Sequence, residues 1–385
     1  MQQSHPSLDT DEVKELRKDI VHLARLGLAA DRVELTPPLR KMARQLRSTS
    51  PKVADELVQL LRSSPLRNAS VSAVDLAAPV DNETRLPLLR VEDPVILSVD
   101  PIFEAGIADV LNQIVAEYMQ PAAMFEAGLG ATRTTLFVGP PGVGKTLAAR
   151  WLADQLDRPL LILDLASVMS SLLGKTGENL RRVLDAGRQR PCVLLLDELD
   201  AVAKRRDDQG EVGELKRLVT VLLQEIDAWP EGSLLLAATN HADLLDPAVW
   251  RRFEVIVEFP RPNRSSLQAA VRKFSGDELL DRGVEDVLVE LFDGASFSDI
   301  EREMTRARRM AAVQRQTLVD SIFTLSRGRF ERLTQGQRIG LATRLQDAAT
   351  LSQRRINDIT GVSRDTLRKY AQGAAIKPDD GTLHA

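Results

Sequence analysis

The chain has 385 residues, of which 43% are hydrophobic and 28% charged, a composition that predicts two or three soluble domains. Its 51 Lys and Arg residues nearly balance 55 Asp and Glu residues, and the net charge of −4 gives no overall attraction to nucleic acid or anionic lipid. One cysteine, Cys192, excludes an intrachain disulfide framework, and four scattered histidines argue against a structural zinc site. The longest apolar run falls short of the ~18 residues of a membrane span, and the first residues carry no basic-then-apolar signal, so we expect a cytoplasmic protein without membrane contact.

The first 62 residues have the periodicity of short helices. Apolar side chains recur at helical spacing over 13–23, and the pattern restarts after Pro37-Pro38. Ser50-Pro51 is typical of the start of a further helix. We therefore predict a small N-terminal helical module over 1–62, followed by a proline-containing linker over 63–92.

Short apolar runs alternate with helical segments between residues 93 and 260. Apolar strands that are bounded by turns and separated by helices predict a parallel sheet covered on both faces. The runs are Thr134–Val138, Leu160–Leu163, Val193–Leu196, Leu234–Ala238 and Val255–Phe259. The fold class predicted for this region is therefore α/β.

Two helical regions follow the predicted sheet. Residues 261–326 have helical patterns interrupted by a loop at Gly294–Ser298. Residues 327–385 form a basic helical region whose last residues, from Gly373, are expected to be disordered.

The first predicted strand is followed directly by a glycine-rich loop. The pattern of strand, GxxxxGK[ST] and helix predicts a loop whose backbone N–H groups surround a phosphate, at the positive end of a helix. Lys145 is placed to reach the β- and γ-phosphates of a nucleotide, and the Thr146 hydroxyl to bind Mg²⁺. The predicted binding residues are Gly139, Pro140, Pro141, Gly142, Val143, Gly144, Lys145, Thr146 and Leu147.

Polar side chains follow two more of the predicted strands. Asp197 and Glu198 end the strand that starts at Val193, and Asn240 follows the strand that starts at Leu234. Because the carboxyl ends of parallel strands form the ligand crevice of such sheets, Asp197 suits Mg²⁺ coordination and Glu198 suits activation of water. Asn240 would orient that water or contact the γ-phosphate, although a turn-forming Asn is the alternative.

Paired arginines follow a short predicted helix after the Asn240 strand. Arg251 and Arg252 are either solvated surface residues or arginine fingers that reach the γ-phosphate of a neighbouring subunit.

Together, these motifs resemble those of the AAA ATPases. GPPGVGKT resembles Walker A, CVLLLDE resembles Walker B, AATN resembles the sensor-1 strand, LDPAVWRRFE the second region of homology, and GASFSDI the lid loop. The resemblance covers residues 93 to about 315, with the motifs in the order of the family. It implies a P-loop AAA core with a five-stranded parallel sheet and a helical lid, flanked here by all-helical N- and C-terminal modules. It also implies ATP and Mg²⁺ as cofactors, a ring that is usually hexameric, and Arg251 as the stronger finger candidate of the two arginines.

Two segments match the loops that line the central pore in such rings. In Ser170–Lys175, Leu172 occupies a position that is usually aromatic in members that thread polypeptide. Lys204–Asp208 matches a second, charged loop. The alternatives are that Leu172 packs inside the subdomain and that the charged run is a solvated face.

Residues 351–370 resemble a helix-turn-helix. Ser352 and Ser363 are placed to cap two helices, and Gly361 to form the turn between them. Asn357 departs from the motif, which usually has Ala or Gly at that position. Between residues 321 and 372 there are ten basic and four acidic residues, which suits phosphate contacts. The alternative is a helical hairpin that packs on the ring or binds a protein.

Two functions are therefore predicted from the sequence. The first is an ATP-hydrolysing ring motor that remodels or unfolds a protein. The overall layout resembles that of prokaryotic stand-alone AAA proteins, and this resemblance implies a separate protease as a partner. The second is a DNA-linked AAA ATPase, such as a loader, transposition helper or regulator, that uses residues 352–370. A nucleotide switch with slow hydrolysis is disfavoured because Glu198 and both arginines are present.

Overall fold

In the computed structural model, the described part of the chain is an α/β unit followed by a helical unit. The residues described are 88–97, 99–166, 176–201, 212–276, 278–347 and 351–371, with single positions at 39, 42, 43, 46, 53 and 57. The N-terminal module falls outside these residues apart from those single positions. The two pore segments, most of the linker and the end from Gly373 lie outside them entirely.

The sheet of the α/β unit has six strands, one more than predicted. The strands are β1 Arg90–Glu92, β2 Thr134–Val138, β3 Leu160–Asp164, β4 Val193–Asp197, β5 Leu234–Thr239 and β6 Val255–Glu258. Their order across the sheet is β1-β3-β4-β5-β2-β6, and all neighbours are parallel except β1 and β3.

Strand β1 corrects the expectation that 63–92 is linker throughout. Its three residues pair antiparallel with β3, from Arg90 opposite Ile162 to Glu92 opposite Leu160. The carboxylate of Glu92 also forms an ion pair with Nε of Arg150, at 2.9 Å, on the helix behind the sheet. A three-residue polar segment has no apolar run or period of its own, so only these long-range contacts define it as a strand.

Helices cover both faces of the sheet. The helices of this unit are α1 Ala105–Met119, α2 Pro121–Glu126, α3 Lys145–Gln155, α4 Thr176–Arg188, α5 Val212–Asp227 and α6 Pro247–Trp250. Helices α1 and α3 pack on one face, and α4 and α5 on the other. The central strands β2 and β5 are buried along their whole length, as expected for parallel strands covered on both sides.

The helical unit contains seven helices in the described residues. They are α7 Arg264–Phe274, α8 Arg282–Leu291, α9 Phe297–Gln314, α10 Leu318–Glu331, α11 Gln335–Asp347, α12 Gln353–Thr360 and α13 Arg364–Ala371. One hydrophobic core runs through all of them, from Leu267 on α7 to Leu367 on α13. The boundary predicted at 326/327 falls inside α10, because this shared core makes the lid and the basic region pack together. Among the helices in the described residues, none combines the length and apolar content that a membrane crossing requires.

Candidate nucleotide-binding site

The phosphate loop connects β2 to α3 at the carboxyl edge of the sheet. Its glycines are required by the backbone: Gly142 has φ of 78°, and a Cβ on Gly139 would lie 2.1 Å from the carbonyl oxygen of Phe259. The loop ends at Gly144, the N-cap residue of α3, so the positive end of that helix faces the loop. The residues predicted from the sequence therefore form a loop that ends at Gly144 and continue into the first turn of α3.

The members of this loop differ in how exposed they are. Val143 is buried in the core between α3 and the sheet, so only its backbone is available to a phosphate. Pro141 is exposed, while Pro140 and Leu147 are half-buried.

Lys145 is held over the loop by three oxygen acceptors. Its Nζ donates to the carbonyl oxygens of Gly139 (2.6 Å) and Pro140 (2.9 Å), and to Oδ1 of Asn240 (2.7 Å). Burial lowers the pKa of Lys145 to about 8, against the opposing charges of Asp197 and Asp200. The ammonium group is therefore poorly solvated, and anionic phosphates would stabilise its charge.

Thr146 and Asp197 bring two oxygen donors together beside the loop. The Thr146 hydroxyl donates to Oδ2 of Asp197 at 3.1 Å, although 51 residues separate them. This pair of hard oxygen donors suits Mg²⁺, which usually takes one or two protein ligands and completes its shell with water and phosphate oxygens. The described residues contain no cluster of three or more His, Cys, Asp or Glu that would hold a metal without a nucleotide.

Glu198 lies next to this pair in a strained backbone conformation. Its φ is 56°, its backbone N–H donates to Oδ1 of Asp197 at 3.0 Å, and its side chain is exposed. A non-glycine residue in the left-handed region carries a conformational cost and occurs preferentially at functional sites. The backbone from which the Glu198 side chain projects is thus fixed beside Asp197.

Asp200 is a site residue that the sequence interpretation missed. It is buried, and its Oδ1 accepts hydrogen bonds from Oγ1 of Thr239 and from the backbone N–H of Asn240, each at 3.2 Å. Asp200 thereby fixes the end of β5 and, through it, the Asn240 side chain that contacts Lys145. The signal was present in the run DELD, whose second Asp follows Asp197 by three residues.

The helical unit touches the phosphate loop directly. The backbone N–H of Ser298 donates to the carbonyl oxygen of Gly142 at 3.1 Å, and a Cβ on Gly142 would lie 2.5 Å from Oγ of Ser296. Ser296 and Asp299 form a reciprocal capping box that starts α9 at this contact. The predicted lid loop is therefore packed against the predicted nucleotide loop.

The two predicted arginines lie at the opposite edge of the sheet. The carbonyl oxygen of Arg252 accepts from Oγ1 of Thr134, the first residue of β2, whereas the phosphate loop follows the last. The length of β2 alone separates these positions by roughly 13 Å. Arg252 forms an ion pair with Asp227 at the end of α5. Arg251 is exposed and lines a surface cavity of about 400 Å³.

A glycine-rich loop between a buried parallel strand and a helix, with a lysine and a Thr–Asp pair around it, defines a P-loop nucleotide-binding protein. Comparison with known proteins agrees: the family model described as "ATPase family associated with various cellular activities (AAA)" matches residues 135–261. Residues 135–261 therefore belong to an AAA ATPase domain.

Similar proteins include an uncharacterised AAA family ATPase of Sinorhizobium fredii, 37% identical over 222 residues, or 57% of this chain and 66% of the relative. Proteasome-activating nucleotidase 1 of Haloferax volcanii is 30% identical over 270 residues, 66% of either chain. The proteasome-activating nucleotidase of Methanopyrus kandleri is 27% identical over 264 residues, 66% of this chain and 60% of the relative. The alignments thus span slightly less than two thirds of the length of these relatives.

Proposed function

We propose that this chain is the subunit of an ATP-hydrolysing ring, expected to be a hexamer in the cytoplasm, that remodels or unfolds a protein substrate. We further propose that a separate protease receives the unfolded chain. The names of the two proteasome-activating relatives support this proposal, because they describe nucleotidases that work with a proteolytic machine.

The site residues have distinct roles in the proposed hydrolysis. Lys145, already held at Asn240, would bind the β- and γ-phosphates, and the loop amides would surround them. Glu198 would accept the proton of the attacking water, and Asn240 would orient that water. Thr146 and Asp197 would hold Mg²⁺, which supplies neutralisation of the phosphate charge when bound.

The distance between Arg251 and the phosphate loop of the same subunit is the observation that supports assembly into a ring. Arg251 and Arg252 lie at the amino edge of β2, so neither reaches the γ-phosphate of the same subunit. Both arginines are exposed, but Arg252 is paired with Asp227, whereas Arg251 forms no ion pair with another residue that the structure describes. An exposed arginine in this place suits the phosphate of a neighbouring subunit, and such a finger stabilises the charge that develops during hydrolysis.

Mixing two inactive variants tests this arrangement. Arg251→Ala retains its phosphate loop, and Lys145→Ala retains its finger, so a mixture of the two should recover part of the ATPase activity that each lacks. The control is the double variant Lys145→Ala/Arg251→Ala mixed with Arg251→Ala, which contains intact loops but no finger and should stay inactive. Normal turnover by Arg251→Ala alone, or by a proven monomer, would remove the basis for the ring.

The substrate class is tested by a trapping variant. Glu198→Gln should bind ATP but hydrolyse it slowly, because an amide cannot accept the proton of water, so bound substrate should remain on the ring. Captured polypeptides should be absent when Lys145→Ala is used in the same way. If Glu198→Gln turns over ATP at a near-normal rate, another residue is the base.

The comparisons give no support to the alternative of a DNA loader, transposition helper or regulator. The ATPase cycle is therefore assigned to protein remodelling, and the basic helices at the end of the described chain are considered separately below.

A further inference from the structure

Helices α12 and α13 form a rigid pair joined by three residues. Helix α12 begins at Ser352, whose Oγ accepts from the N–H of Arg355 at 3.3 Å, and it ends at Gly361 with φ of 71°. Helix α13 follows Ser363, whose Oγ accepts from the N–H of Thr366 at 3.2 Å. Both ends of the connection are therefore fixed by caps.

Asn357 stabilises the turn instead of disturbing it. Its Nδ2 donates to the carbonyl oxygen of Val362 at 2.8 Å, across the connection. Val362 in turn donates its N–H to Oγ1 of Thr360 at 3.2 Å. The departure from the usual small residue at position 357 thus adds a hydrogen bond between α12 and the turn.

One side of the pair is anchored in the core of the helical unit. Ile356, Ile359, Val362 and Leu367 are buried in that core, and α11 packs against both helices. The side chain of Arg355 faces inward, toward α10. Its Nε donates to Oδ1 of Asp320 at 3.0 Å, and its Nη2 donates to the hydroxyl of Thr324 at 2.6 Å. The pair therefore has a defined inner side and a defined outer side.

Among the side chains that the structure describes, the outer side is basic and carries no large exposed apolar group. Arg354, Arg364, Arg368 and Lys369 are exposed, and none forms an ion pair with another residue that the structure describes. Two exposed acids, Asp358 and Asp365, accompany them. The large exposed apolar residues of the described chain all lie on other elements.

Arg338 on α11 adds a fifth basic group at the turn. A Cβ on Gly361 would lie 3.8 Å from its Nη1, and its buried Nε has no hydrogen-bond partner in the structure. The guanidinium is thus held beside the turn, where it adds positive charge to the surface of α12 and α13.

We propose that α12 and α13 form a binding surface for double-stranded DNA, with α13 in the major groove. An α-helix with its side chains is about 10–12 Å in diameter, which the ~12 Å width of the major groove admits. Arg364 and Arg368, one helical turn apart on α13, face the DNA, and Arg354 and Arg338 contact the phosphates on either side. A protein partner would favour apolar and aromatic side chains at the centre of its contact, and the large exposed apolar side chains of the described residues all lie on other elements. The deep, narrow major groove of A-form RNA would not admit the helix.

Fluorescence anisotropy with the full chain tests this surface. The probe is a mixed-sequence 30-base-pair DNA duplex, titrated at several salt concentrations without nucleotide. The test variant is Arg364→Ala/Arg368→Ala, and the matched control is Arg306→Ala/Arg309→Ala, which removes two exposed charges from α9. Circular dichroism and thermal unfolding establish that both variants are folded.

The wild type and the α9 control should bind DNA equally. The α13 variant should bind roughly tenfold more weakly or worse, with the slope of log K against log salt reduced by about two. Arg364→Lys/Arg368→Lys should recover most of the salt-dependent binding, since it keeps the charges. A matching A-form RNA duplex should bind more weakly than DNA.

Three results would overturn the assignment. They are no binding by the wild type at 50 mM salt, equal binding by the α13 variant, and an equal loss in the α9 control. RNA binding as tight as DNA binding would overturn the placement of α13 in the groove. None of these results depends on ATP hydrolysis, because Glu198→Gln and Lys145→Ala should bind the duplex as the wild type does.

Discussion

Removing the carboxylate of Asp200 should displace Asn240, and it also removes a negative charge that acts on Lys145. Asp200 contacts neither the loop nor Thr146 through its described hydrogen bonds, which go to Oγ1 of Thr239 and the N–H of Asn240. In Asp200→Ala, both of these donors lose their acceptor. Because Thr239 is fully buried, water cannot easily replace the lost acceptor there.

The expected loss of stability in Asp200→Ala follows from the number and kind of hydrogen bonds that are lost. Each bond to a charged acceptor contributes roughly 1.5–3 kcal/mol, so the loss of both should destabilise the end of β5 by about 3–6 kcal/mol. Asp200→Asn keeps an oxygen that can accept from both donors. Because a neutral bond is about half as strong as a charge-assisted one, this variant should lose about half as much.

Hydrogen exchange at the Asn240 amide measures this effect at the position concerned. In Asp200→Ala the exchange should accelerate by roughly 10²–10⁴-fold, the equivalent of 3–6 kcal/mol. ATP turnover should fall, since Asn240 loses its position and Lys145 loses the acceptor that Asn240 provides. Asp200→Asn should be intermediate in both measurements.

Asp243→Ala is the matched control, because it removes an exposed carboxylate three residues beyond Asn240. It should leave both the exchange rate and the turnover unchanged. If Asp200→Ala also exchanges and hydrolyses like the wild type, then Asp200 does not position Asn240 and the reasoning fails.

Three further predictions concern the loop, the pore segment and the cysteine. Lys145→Ala should lose most of its affinity for a fluorescent ATP analogue, because the phosphates lose their ammonium partner; unchanged affinity in a folded protein would contradict the site. Leu172→Ala should keep basal ATPase activity but lose remodelling of a trapped substrate, since apolar grip falls with side-chain area; persistent remodelling would make Leu172 structural. Burial raises the pKa of Cys192 to about 11, so the folded protein should resist maleimide at pH 8 and react only on unfolding, and rapid labelling of folded protein would refute this burial.

Much of the nucleotide site was predictable because its signals are local. The loop from Gly139 to Thr146 is contiguous, and its glycines are required by backbone conformation whatever surrounds them. The five parallel strands were predicted close to their observed bounds. Four of them, β2 to β5, are buried on both faces, and such a strand must be a continuous apolar run. Asp197 and Asn240 were placed correctly at strand ends, since parallel strands bring their carboxyl ends to one edge.

Other features depend on contacts between residues far apart in the chain. Strand β1 has no pattern of its own and exists through its pairing with β3. The ion pair of Arg252 with Asp227 joins residues 25 positions apart in the chain. Neither contact produces a period or a motif, so neither can be inferred from residue order.

The sequence by itself determined the class of chemistry, because phosphate binding requires particular residue types at fixed short spacing. Only the tertiary structure decided how the parts are joined. It placed Asp200 under Asn240, set the lid loop against Gly142, and gave the lid and the basic helices a single core. The physical reason is that packing selects among many compatible long-range pairings, and a side chain's partner is fixed only when the backbone brings the two together.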